Sequence, residues 1–188
     1  MPPRRLLSAA LAFALAGCAT ADAIYWAPTR NALYSTSSLG YVQAQGPTPL
    51  LVLGTPFPAA PMEPFARVVA ATMSGANFGP PLSFTVDPPG PREADYRVVV
   101  AFGTPYVGGS DLCQVQAPLL APSGPRVHAE AAFCVETKRI TEIKGDMVAE
   151  ATGPDDPAFA AFLRGLTLNL MPPVDRLQRR GCRTTPGC

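Results

Sequence analysis

Ser110, Asp111 and His128 are the residues whose types suit a hydrolytic reaction. A serine nucleophile needs a base, and the base needs a carboxylate to orient it. Ser110 does not sit in a G-x-S-x-G elbow, and His128 is the only histidine in the chain. These three are therefore weak candidates, weighed against a histidine that lies on a strand face beside acidic residues. Glu130, Glu136, Glu142, Asp146 and Glu150 form a second candidate set with His128 and Lys144. Paired carboxylates can exchange protons or bind calcium. Spread along two strands, these read instead as a solvated sheet face, with Glu136 opposite Glu142 in mild repulsion. The stretch Gly108-Gly109-Ser110-Asp111 offers backbone N–H groups to an anion. It lacks the G-x-x-x-x-G-K-[ST] pattern and no helix follows, so it does not read as a nucleotide site.

The N-terminus carries a different chemistry. Arg4 and Arg5 precede an apolar run from Leu6 to Ala16, and Leu15-Ala16-Gly17-Cys18 closes it. The run is too short to span a membrane, which takes about 20 apolar residues. Its layout is that of a secretory signal with a small-residue cleavage site. The segment resembles bacterial lipoprotein signal peptides. That resemblance implies cleavage before Cys18, acylation of Cys18, and an anchor of several acyl chains in place of one marginal chain. Ala19 after the cysteine, by the same resemblance, implies the outer membrane, with the domain facing the periplasm. Removing residues 1–17 leaves 171 residues with 13 basic and 14 acidic side chains. Without a basic excess, nucleic acid is not an expected partner. The expected partners are the membrane, through the lipid, and another envelope protein.

With Cys18 acylated, Cys113, Cys134, Cys182 and Cys188 remain. An even number in an exported protein points to two disulfides. Four cysteines allow three pairings, and sequence alone does not choose. Cys113–Cys134 with Cys182–Cys188 is the favoured set. No C-x-x-C pair exists and His128 is far from the C-terminal cysteines in sequence, so neither a metal site nor a cofactor is expected.

The elements that must position these residues follow from periodicity. Residues 19–48 are rich in small and polar types, and Trp26, Tyr34 and Tyr41 follow no sustained period. They read as a flexible tether, so that residues 18–48 lift a domain away from the membrane. Leu50 to Leu53 is a buried strand, and Met62, Phe65, Val68, Val69 and Met73 mark a helix. Leu82 to Val86 and Tyr96 to Phe102 alternate as strands, the latter apolar on both faces and so placed centrally. Gly103 to Pro125 is a long irregular connection. Val127 to Thr137 and Ile140 to Ala149 make a hairpin, with Val127, Ala129, Ala131, Phe133 and Val135 facing the core. The expected register sets Val135 opposite Ile143 and Ala131 opposite Met147. Phe159, Phe162, Leu163, Leu166 and Leu170 form the stripe of a last helix, stopped by Pro172-Pro173.

The order β-α-β-β-β-β-α predicts an α+β domain over residues 49–172. It would have a mostly antiparallel sheet of about five strands and two helices on one face. Residues 173–188 form a basic, cysteine-containing tail. The domain has a general likeness to small α+β lipoproteins of proteobacteria. The expected function is that of a non-enzymatic binding or assembly accessory of the cell envelope. The alternatives are an envelope hydrolase using the 103–125 loop with His128, and a small-ligand-binding module.

Overall fold

A computed structural model describes residues 23–26, 28–30, 34–87, 96–103, 112–114 and 126–173. The fold is α+β. Seven strands make one mixed sheet: β1 (Ala23–Tyr25), β2 (Thr29–Arg30), β3 (Thr48–Leu53), β4 (Phe84–Thr85), β5 (Tyr96–Phe102), β6 (His128–Val135) and β7 (Lys138–Met147). Among the described residues, three helices accompany them: α1 (Thr36–Ala44), α2 (Met62–Met73) and α3 (Pro157–Leu170). The sheet order is β1-β7-β6-β5-β3-β4, with β2 also pairing β7.

The expectation of a mostly antiparallel sheet is corrected. β3 runs parallel to both of its neighbours, β4 and β5. The reason is α2, a crossover that returns the chain to the end of the sheet where β3 began. The pairs β5–β6, β6–β7 and β1–β7 are antiparallel. β5 lies between β6 and β3, as its two apolar faces require.

One face of the sheet carries all three helices. Val98, Val100 and Phe102 of β5 and Ala129, Ala131 and Phe133 of β6 meet Phe65 and Val69 of α2 and Phe159, Phe162 and Leu166 of α3. Phe159 is fully buried and contacts the rings of Phe57 and Phe102 at 5.0 and 5.9 Å. α3 starts on Asp156, whose carboxylate accepts from the Ala158 N–H at 2.9 Å, and Pro157 fills the first turn. The opposite face has a smaller apolar cluster, made by Leu53, Val99, Ala101, Ala132 and Cys134 together with Leu112 and Cys113.

The hairpin register also differs from the expected one. Ala131 stands opposite Ile143, and Val135 opposite Lys138. The turn holds only Glu136 and Thr137, with Glu136 at φ 52°. A bulge between Phe133 and Cys134 skips Ile140, so Ile140 joins the core beside Ile143 and Met147. From His128 to Phe133 the shift is four residues, so those side chains and their partners keep their faces while the pairing changes; past the bulge it is five, which is what lets Ile140 turn into the core.

The expected tether is likewise corrected. Within residues 18–48, β1 and β2 extend the sheet along β7, and α1 buries Leu39 and Val42 in the core. The Ser35 hydroxyl caps α1 by accepting from the Ser38 N–H at 3.0 Å. The Tyr34 hydroxyl donates to the Pro172 carbonyl at 2.6 Å. Tyr25 is the main lock. Its ring stacks on Phe162 at 5.8 Å and its hydroxyl donates to the Phe162 carbonyl at 2.8 Å. Burial pushes this phenol up to about 12.

Gly165 makes the room for Tyr25, since a Cβ there would stand 2.2 Å from the Tyr25 oxygen and 2.6 Å from its ring. Gly165→Ala is therefore expected to expel the ring. Alanine's helix preference of about 1 kcal/mol offsets part of an overpacking cost of about 1–3 kcal/mol. The net loss of stability is about 1 kcal/mol, but the local effect is large. Amide exchange at residues 23–26 should accelerate well beyond that of β5. Unchanged exchange there would refute the lock.

Candidate functional site

The second face of the β6–β7 hairpin gathers the titratable residues. Glu130 pairs across with Lys144, Ala132 with Glu142, and His128 with Asp146. Alternation puts these side chains on the face away from the helices. The observed register creates the arrangement, because the expected one would have set Glu142 against Glu136. Glu136 instead occupies the turn, and Glu150 lies beyond the end of β7. The expectation of a solvated acidic face fails for its two central members. Glu130 is 1% and Glu142 6% exposed.

These buried carboxyls hold different protonation states. The Glu142 carboxylate forms ion pairs with Arg139 and, at 3.5 Å, with the Lys144 ammonium. Burial works to raise its pKa. The proton offered by Glu130 and the cations Arg139 and Lys144 outweigh that and hold it below the usual carboxylate range. Glu130 is pushed the other way, up to about 8, first by burial and then by its bond to Glu142. As a carboxylate it would have Lys144 Nζ at 3.6 Å but no donor within hydrogen-bond distance among the described residues. Held neutral by burial beside the Glu142 carboxylate, it leaves a single negative charge to face the two cations.

The sign of the pH dependence follows. The unfolded chain releases the Glu130 proton near the ordinary value of 4.5, whereas the native state keeps it to about 8. Native protein binds more protons across that window, so stability falls as pH rises through it. Glu142 acts in the opposite sense, but at pH below its ordinary 4.5. The urea midpoint should decline from pH 5 to pH 9, and Glu130→Gln should flatten that decline. An equal slope in both proteins would exclude Glu130 as its source.

His128 meets the carboxylate of Asp146. Its Nδ1 stands 2.6 Å from Asp146 Oδ1, with the two side chains 15% and 33% exposed. Ser110 and Asp111, the other members of the Ser110–Asp111–His128 set, lie outside the described residues. Most of the 103–125 loop, Cys18, Cys182 and Cys188 also lie outside them. The structure does bring Cys113 and Cys134 together as a disulfide with Cα atoms 5.7 Å apart. Arg97, beside Cys134 on the sheet, donates to the Cys113 carbonyl, so residues 112–114 are pinned to this face twice.

Arg97 and Arg139 were not singled out from sequence. Arg139 had a signal in its spacing of three from Glu142, whereas Arg97 had none short of the strand pairing. Among the described residues, no group of three or more His, Cys, Asp or Glu is placed to hold a metal ion. An open cleft of about 310 Å³ lies elsewhere, between β3 and α2, lined by Leu50, Val52, Met62, Glu63, Ala66 and Val86 among others. It takes in none of the buried charged residues. The cluster is thus a set of compensating charges with buried carboxyls and partly exposed cations, which this cleft does not reach.

No family model matches the chain, and no curated protein does. Two similar solved structures are PelC dodecamers from Paraburkholderia phytofirmans, one of them a single-residue variant. They are 12% and 11% identical to this chain, and each match covers 79% of this chain and 97% of the other. Their TM-scores are 0.41 and 0.43.

Proposed function

We propose that this chain is a lipid-anchored envelope protein of the outer membrane, facing the periplasm and acting as a non-enzymatic binding or assembly accessory. The observation that carries this reading is the Leu15-Ala16-Gly17-Cys18 box behind a basic, apolar start. The Cys113–Cys134 bond supports it, because structural disulfides persist in oxidising compartments outside the cytosol. The charged cluster supports the non-enzymatic part, since Glu130 and Glu142 are buried and the Glu142 carboxylate is paired with Arg139 and Lys144.

Labelled palmitate tests the anchor. The wild-type protein is expected to take up label and to fractionate with membranes, and Cys18→Ala to do neither. An unlabelled, soluble wild-type protein would end the proposal. The accessory role predicts that cross-linking in intact envelopes captures a defined partner at constant stoichiometry. Cross-linking that yields only the free chain would overturn that part. The hydrolase alternative has one observation in its favour, the His128–Asp146 pair, in which a carboxylate orients an imidazole. It requires that His128→Ala abolish an envelope-degrading activity, and an unaffected activity would remove it.

A further inference from the structure

Ile24 and Trp26 are half exposed, at 51% and 49%, on the outer edge of the sheet. Tyr25 between them points to the helices and is locked there by Phe162. Strand alternation therefore holds Ile24 and Trp26 together on the other face, Ile24 beside Asp146, with the Trp26 N–H bonded to the Lys144 carbonyl at 2.9 Å. The two apolar side chains are fixed in place by a rigid element and are not carried on a tether.

Their position relative to Cys18 is decisive. Residues 19–22 are all that separate Cys18 from β1. Five steps of the chain span at most about 18 Å. A domain of this size has a radius of gyration of about 15 Å, so the leash is shorter than the domain is wide. An acylated Cys18 sits at the bilayer surface, and it brings the β1 edge to that surface before any other edge. Tryptophan is favoured at the headgroup level, where its ring is part apolar and its N–H meets water.

From this we infer that Ile24 and Trp26 seat the domain directly on the lipid surface, so that the sheet edge at β1 and β7 is its membrane-facing side. The inference rests on the lipid anchor proposed above. It gives the domain a fixed orientation: β4 and the cleft beside α2, at the far edge of the sheet, are turned away from the bilayer.

Trp26 is the only tryptophan in the chain, so its fluorescence reports on this one contact. The acylated protein would be purified from membranes and reconstituted into phosphatidylethanolamine–phosphatidylglycerol vesicles. A second set of vesicles would contain lipids with brominated acyl chains. Cys18→Ala supplies the soluble reference. The expected result is a blue shift of the anchored protein relative to that reference, quenching by the brominated chains, and loss of quenching by aqueous acrylamide. Protein that floats with the vesicles but keeps the reference spectrum and no bromine quenching overturns the seating while the anchor stands. A blue shift without bromine quenching assigns the pair to a protein contact and also overturns it. Protein that fails to float removes the anchor, and the seating with it.

Discussion

Glu142→Gln is expected to destabilise the fold by about 3 kcal/mol at pH 7, while Glu130→Gln is expected to stabilise it. The two residues are neighbours with the same functional group and almost equal burial, so an argument from exposure alone would predict equal losses. Charge breaks the symmetry. Glu142 carries the negative charge that faces Arg139 and Lys144. Neutralising it leaves those cations without their compensating anion and forces Glu130 to ionise, with Lys144 at 3.6 Å as its nearest cation. Removing one partner of a buried ion pair costs about 3–5 kcal/mol. The low end applies because the Arg139 and Lys144 side chains keep 30% and 24% of their exposure. Glu130 is already neutral in the fold at pH 7, since burial and Glu142 raise it to about 8, so an amide there replaces a neutral acid and removes the cost of protonating the carboxylate on folding. Urea-unfolding midpoints of the two single variants decide the matter. Equal losses, or a larger loss for Glu130→Gln, would reverse the assignment of the proton.

The parts of this arrangement that were legible in the sequence are those fixed by periodicity. Val127 to Val135 alternate over nine residues, and the stripe from Phe159 to Leu170 repeats over three turns, so each names its buried face without reference to anything else. The pairing of β6 with β7 is a different kind of fact. From His128 to Phe133 the shift is four residues, which leaves each face unchanged, so the hydrophobic pattern does not distinguish the two registers there, and the bulge at Ile140 adds a fifth residue that alternation does not announce. That is why the acidic residues were placed on the correct face with the wrong partners, and why their burial was missed. The same limit hid the role of residues 23–44. Tyr25 stands between Ile24 and Trp26 in a stretch with no sustained period, so nothing marks which of the three is buried. Its site is made by Gly145 on β7 and Gly165 on α3, two absences of a side chain that have meaning only after the sheet and α3 have met. The cysteine pairing was one of three open to sequence, and it was the adjacency of β5 and β6 that brought Cys134 beside Arg97 and the Cys113 carbonyl.

Replacing both Cys113 and Cys134 by alanine is expected to cost about 3 kcal/mol, through the entropy of a chain no longer closed across that loop. The sequence separation is 21 residues. For a folded region of this size that corresponds to a fall in Tm of roughly 10 °C. Alanine is the right replacement, because both sulfurs lie in a fully buried apolar cluster and a serine would add an unsatisfied hydroxyl to the cost. The effect should also reach the charged cluster. Ala101 stands opposite Glu130, and Ala132 follows it on the same face. Both belong to the cluster that Leu112 and Cys113 complete. Freed from Cys134, residues 112–114 keep only the Arg97 bond, water gains access to Glu130, and the burial that raises its pKa is relieved. The double variant should therefore lose stability most at low pH and show a weaker decline between pH 5 and pH 9 than the wild type. A uniform loss with an unchanged slope would mean that the disulfide acts on the unfolded chain alone and that other residues shield Glu130. A loss well under 1 kcal/mol would mean that burial of Leu112, with the Arg97 bond, suffices to hold the segment in place.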